Sequence, residues 1–125
     1  MTKQPPGPTF EVHVDERALA EDLSHASDAA RSAIEPMVHH LESDGAPVAW
    51  LKRCDAEARD GTQLPGCVKL YIPQPAGQWG AVFLGAAVDG TLKLFLLAIG
   101  ERHPSAPWKL SVYELAHRRL HVQGT

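Results

Sequence analysis

The stretch from Trp79 to Ile99 constrains this chain more than any other. Two apolar segments, Trp79 to Ala86 and Leu92 to Ile99, flank Asp89-Gly90, a pair that tolerates positive φ and makes a tight hairpin turn. The second segment is apolar at every position except Lys93, so it needs cover on both faces and belongs in the middle of a sheet. Cys67 to Ile72 supplies another strand, joined to the hairpin through Pro73-Gln-Pro-Ala-Gly77.

Upstream the pattern changes. Phe10 to Val14 alternates apolar and polar residues like a half-buried strand. Asp15 can then accept from the amides of the next turn and start a helix over Glu16 to Leu23. Ala30, Ala33, Ile34, Met37, Val38 and Leu41 recur at helical spacing and form one apolar stripe. Pro36 sits inside that stripe, where its missing donor is expected to kink the helix or shift its start. Asp44-Gly45 ends it. Val48 to Leu51 reads as a short extended piece and Lys52 to Pro65 as a long polar loop. Ser111 to His121 closes the chain as a helix with Val112, Leu115, Ala116 and Leu120 turned inward.

This order gives an α+β fold. A small antiparallel β-sheet of about four strands carries two N-terminal helices on one face, and a C-terminal helix follows. The opposite face is left partly open. Residues 1–8 read as a flexible leader, and residues 9–125 as a single domain with one core. No apolar run approaches the roughly 20 residues that span a bilayer, and the first residues lack a hydrophobic signal region. The expectation is a cytoplasmic protein with no membrane partner. Cys54 and Cys67 are too few for a disulfide framework and lack zinc-site spacing.

Charge is distributed unevenly. Residues 1–60 hold 12 Asp/Glu against 6 Lys/Arg, whereas residues 61–125 hold 3 against 6. A basic half on an acidic chain suits an anionic ligand, although ordinary solvated charge produces the same bias. Within that half, the last apolar segment stops at Gly100, and Arg102, His103 and then Tyr113 follow. A strand ending this way presents a cation and an aromatic ring at its exit, which suits a phosphate held beside a base.

Three motifs taken together resemble a known family. Phe10 to Leu19, with Val14-Asp15-Glu16-Arg17-Ala18-Leu19, is similar to the opening strand and helix cap of RelE-type toxins. Leu64-Pro-Gly-Cys67-Val-Lys69-Leu resembles their second strand. Gly100-Glu-Arg102, with Ser111-Val-Tyr113-Glu-Leu-Ala-His-Arg-Arg-Leu120, resembles their C-terminal segment. The likeness spans nearly the whole chain after the leader, in the same element order. It implies the RelE/ParE toxin superfamily, a RelE-like fold and a cognate antitoxin. RelE members cut mRNA in the ribosomal A site, and ParE-like members act on DNA gyrase.

By that resemblance, Lys69 falls where RelE-type toxins place a strand lysine that assists proton transfer. Arg102 matches the arginine after the last long strand, and Tyr113 the tyrosine that stacks on or orients the message. Two positions depart. Tyr71 stands where the family has a second strand lysine, and Gly80 where it has a strand arginine. The segment His103-Pro-Ser-Ala-Pro-Trp108-Lys109 also lengthens the path from Arg102 to Tyr113.

Metal-free RNA cleavage needs a base near the ribose 2′-hydroxyl, a cation for the phosphorane and an acid for the leaving 5′-oxygen. Arg102 suits the cation role. His103 or His117 suits the acid or base, as does Lys69 if its pKa is depressed. Tyr113 offers a face for a base, and Trp79, Lys109, Arg118 and Arg119 are further candidates for RNA contact. Competing structural roles stand beside each of these: an exposed strand lysine, a surface ion pair, a packing tyrosine, a packing tryptophan. His117 and His121 have metal spacing but no third ligand, so no metal and no cofactor is expected.

The resulting expectation is a toxin-like endoribonuclease, an mRNA interferase. Its partners would be an antitoxin and mRNA on the ribosome, with DNA reached only through the antitoxin. The alternative is a non-catalytic or ParE-like protein that binds gyrase or another partner.

Overall fold

The computed structural model describes residues 8–54, 64, 66–73, 77–106 and 108–123, and the expected leader falls almost wholly outside them. Strand β1 (Thr9–His13) leads to helix α1 (Glu16–Leu23). The Asp15 carboxylate caps this helix, accepting from the Arg17 and Ala18 amides at 3.0 and 3.4 Å. Helix α2 (Asp28–Asp44) starts with Ser27 Oγ accepting from the Ala30 amide at 3.1 Å. It buries Ile34, Val38 and Leu41, each contributing about 1.5–3 kcal/mol on removal from water. Pro36 neither starts nor stops α2. It is exposed, as is Ser32 one turn earlier, so the carbonyl that loses its amide partner faces solvent, where water can bond it.

Strand β2 (Ala46–Pro47) follows, and residues Val48–Trp50 form one 3₁₀ turn in place of the expected extended piece. Strand β3 (Lys52–Arg53) emerges from what the sequence marks as loop. Residues 55–63 and 65 of that loop lie outside the described residues. Strands β4 (Cys67–Tyr71), β5 (Trp79–Val88) and β6 (Thr91–Glu101) and helix α3 (Val112–Gln123) complete the chain. The turn between β5 and β6 has φ of 53° at Asp89 and 79° at Gly90, the two consecutive positive values of a hairpin whose twist matches its strands.

The α+β layout holds, with two adjustments to the sheet. It has six strands in the order β2-β1-β6-β5-β4-β3, because two-residue strands extend each edge. It is also mixed: β1 runs parallel to β6, pairing Glu11 with Lys93, Val12 with Leu94 and His13 with Phe95. As the apolar pattern requires, β6 lies inside the sheet, between β1 and β5. Val82 pairs with Ala98 but Phe83 with Leu96, so Leu97 is a bulge that bends β6.

Helices α1 and α2 pack on one face over Val12, Leu70, Ala81, Phe83, Leu94 and Ile99. Helix α3 packs on the other over Cys67, Val82 and Ala98, through Val112 and Ala116. One stretch of β6 has no strand partner on the β1 side, because β1 ends opposite Phe95. There Asp22 accepts from the Ile99 amide at 3.0 Å, and Arg119 donates to the Leu97 carbonyl at 2.7 Å and to Asp22 at 2.6 and 2.8 Å. Two side chains thus finish the ladder that β1 leaves incomplete. Among the described residues, no helix is long and apolar enough to cross a membrane.

Candidate nucleic-acid interface

Alternation along β4 sends Val68 and Leu70 toward α1 and α2, and Lys69 and Tyr71 to the opposite face. Lys52 on β3 lies directly across from Lys69. Across the next strands, Tyr71 pairs with Gly80, and Gly80 with Gly100. The sheet therefore has a floor without side chains beside Tyr71. A Cβ on Gly80 would stand 3.0 Å from Arg102 Cγ and 3.2 Å from its Cδ. A Cβ on Gly100 would stand 3.6 Å from Val112 Cβ. Gly80 admits the stem of Arg102, whereas at Gly100 a Cβ would make only ordinary contact with the first turn of α3.

Lying over Gly80, Arg102 delivers its guanidinium to Tyr71, with Cζ 4.3 Å from the ring centroid. Nη2 donates to the Gly77 carbonyl at 2.9 Å, and the Arg102 amide donates to Gln78 O at 2.8 Å. Lys52 Nζ lies 4.7 Å from the same ring. Lys69 Nζ lies 5.7 Å from Tyr71 and 5.4 Å from Tyr113. His103 stands 6.4 Å from Tyr113, ring to ring.

Tyr113 is fixed by a capping box at the start of α3. The Glu114 amide donates to Ser111 Oγ at 3.2 Å, and the Ser111 amide donates to Glu114 Oε1 at 3.0 Å. Burial pushes the Tyr113 phenol above its ordinary value; Tyr71 adds to this and Arg102 opposes it. At neutral pH the hydroxyl therefore keeps its proton and can donate.

The electrostatics of this face are one-sided. Lysines directly opposite across two strands repel, and Arg102 adds a third cation. Among the described residues, none of Lys52, Lys69 and Arg102 forms an ion pair with a carboxylate. The rings offset part of the repulsion through cation–π attraction. Among the described residues, Arg102 Nε is buried without a hydrogen-bond partner, an uncommon state for a buried polar atom. A bound anion would relieve the repulsion, and an adjoining base would find flat aromatic surface.

Of the residues singled out from sequence, Lys69, Arg102, His103 and Tyr113 come together here. His117 is half-buried one turn along α3 from Tyr113. Others have different work. Trp79 is on β5 facing α1 and α2, where it packs against the core. Lys109 pairs with Glu101. Arg119 is held by Asp22, whose side chain is 3% exposed. All three make structural contacts within the fold, whereas Arg118 is exposed on α3. Tyr71, marked in sequence only as a departure from the family, and Lys52 gain their place at this face from the structure. For Tyr71 the signal was its position two residues after Lys69, which puts both on one strand face. Lys52 had no signal within a polar stretch. On another surface, Glu16, His39 and Glu42 bring ligand atoms within 4.8 Å of one another, but all three are exposed.

No protein-family model and no curated protein matches this sequence. Solved structures do. A mutant of the E. coli toxin RelE in the free state is similar over 90% of this chain and 99% of that one, at 24% identity and a TM-score of 0.44. A RelE mutant bound to an antitoxin RelBc peptide matches over 78% of this chain and 88% of that one, at 21% identity and a TM-score of 0.39. The intact E. coli RelBE toxin–antitoxin complex gives 76% and 99% coverage, 23% identity and a TM-score of 0.38.

Proposed function

We propose that this chain is a toxin-like endoribonuclease that cuts mRNA and is held in check by an antitoxin. The observation that carries the reading is the convergence of Lys69, Arg102, His103 and Tyr113 on one sheet face, with no carboxylate paired to either cation among the described residues.

The chemistry follows from those side chains. The ribose 2′-hydroxyl passes its proton to His103 as its oxygen attacks the adjacent phosphorus, the bond to the 5′-oxygen breaks to leave a 2′,3′-cyclic phosphate, and the 5′-oxygen takes a proton from the Tyr113 hydroxyl. Arg102 and Lys69 offset the charge that develops on the phosphorane. His103 is the group beside Tyr113 able to move a proton near neutral pH. Tyr113 donates from its neutral hydroxyl and presents its ring to a neighbouring base. In the family this chain resembles, the strand arginine missing at Gly80 would speak for a protein that has lost its chemistry. Here the Arg102 stem occupies the space above Gly80, which supports the catalytic reading over the gyrase-binding one.

The test is inducible expression in a bacterial host, with the 5′ ends of cellular transcripts mapped. Wild type should arrest growth and produce new ends inside translated messages, while folded Arg102→Ala and Tyr113→Ala should do neither. Arrest without new ends would reject the nuclease and turn the search to gyrase.

A further inference from the structure

Beside the cation cluster, at the β3–β4 edge, lies a cleft of about 370 Å³ lined by Met37, Trp50, Lys52, Leu70, Tyr71 and Pro73. Its size is at the lower end for a small-ligand site. The lining is mostly apolar, and Lys52 is its one charged residue. Trp50 stands at the end of the 3₁₀ turn and is 48% exposed. Neighbouring Leu51 packs against the core, and its amide donates to Val48 O at 3.1 Å, which anchors the turn that holds the indole outward.

We propose that this cleft is a nucleobase subsite, in which Trp50 and Tyr71 flank one base of the RNA whose phosphate is held by Lys52, Lys69 and Arg102. The inference rests on the nuclease reading and adds a second base-binding position to the one at Tyr113. Charge decides the occupant. An apolar side chain from a protein would fill the cleft but leave the three cations around Tyr71 unanswered. A nucleotide answers both halves at once, because it joins a flat apolar face to a phosphate. Tyr71 belongs to both halves, lining the cleft and lying 4.3 Å from Arg102 Cζ and 4.7 Å from Lys52 Nζ. Stacking of this kind is sequence-tolerant, so the subsite contributes affinity and register more than base preference.

Binding of fluorescent 2′-O-methyl tetranucleotides to the full chain, read by anisotropy, tests this without cleavage. Trp50→Ala should weaken binding about tenfold and leave the slope against salt unchanged, since no phosphate contact is lost. Trp50→Phe, which keeps a ring, should bind nearly as wild type and guards against a folding defect in the alanine variant. Trp108→Ala, removing an indole that is 84% exposed and outside the cleft, should bind as wild type. In a series of tetranucleotides each abasic at one position, one member should erase the difference between wild type and Trp50→Ala. Equal binding by wild type and Trp50→Ala, or an equal loss on every abasic oligonucleotide, overturns the subsite. If Trp50→Ala binds RNA normally but loses affinity for the antitoxin, the cleft is a protein contact and the proposal is wrong. Wild type that binds no tetranucleotide and yields no new transcript ends on expression refutes the nuclease reading itself, whereas wild type that cuts transcripts but binds no tetranucleotide refutes only the subsite. Binding that needs Lys69 and Arg102 but ignores Trp50 refutes only the subsite.

Discussion

Gly80→Ala separates the posture of Arg102 from the stability of the fold. Gly80 is absent from the positive-φ residues, so alanine fits its backbone. The added methyl would sit 3.0 Å from Arg102 Cγ and 3.2 Å from Cδ, against about 3.5–4.0 Å for relaxed carbon contact. The stem must therefore give by a few tenths of an ångström. The guanidinium lies further along the side chain and swings by more. A misplacement of about 1 Å at a catalytic group can cost about 10²-fold in rate. Stability should hardly move. Glycine inside a strand is worse than alanine by about 0.5–1 kcal/mol, and weakening, without losing, a half-buried cation–π contact worth about 0.5–2 kcal/mol forfeits a comparable amount. Single-turnover cleavage of a short RNA should then fall about a hundredfold, while the urea midpoint stays near wild type. Arg102→Ala should fall further, and adding Gly80→Ala to it should change nothing more, because both act through one side chain. Folded Gly80→Ala that cleaves as wild type, or losses that multiply in the double variant, would falsify the posture argument.

Two further expectations concern stability. Asp22→Ala strips the Ile99 amide and the Arg119 guanidinium of a shared carboxylate acceptor and should destabilise by about 3 kcal/mol in urea melts. Adding Arg119→Ala should cost less than the sum of the two single changes; strict additivity would show that the pair is not coupled. Tyr113 governs the alkaline limb. Its phenol is raised above 10.0 by burial, so the folded chain holds that proton more tightly than the unfolded chain. The resulting stability is complete below about pH 10 and is lost as pH climbs through the raised value. Thermal melts of Tyr113→Phe should decline less steeply above pH 10 than those of wild type, and parallel declines would show that the phenol is not stabilised as a neutral group.

The elements that the sequence made legible are those with a strong local code. Asp89-Gly90 announced the hairpin, the Ala30-to-Leu41 stripe announced α2, and the unbroken apolar run placed β6 in the middle of the sheet. The parallel pairing of β1 with β6 had no local mark, because Glu11 and Lys93 are far apart in the chain and nothing near either encodes direction. Two-residue strands such as Lys52–Arg53 are set by their neighbours and carry no period of their own. The site divided along the same line. Arg102 and Tyr113 stood out as a cation and an aromatic after a strand end, whereas Arg119 read only as a candidate RNA contact because its partner, Asp22, belongs to a helix 97 positions away. Gly80 read as a loss in sequence and emerges in space as the clearance that seats Arg102.

The parallel pairing of β1 and β6 also sets a schedule for folding. Beyond its two-residue contact with β2, β1 finds its ladder only when β6 is available, so it must wait through most of translation while loop-closure entropy opposes the contact. Arg102 and Tyr113 follow β6 directly in the chain. The sheet is therefore completed, and the basic face assembled, at nearly the same moment. A ribosome partway through this message carries a nascent chain that lacks both the finished sheet and the residues that complete its basic face.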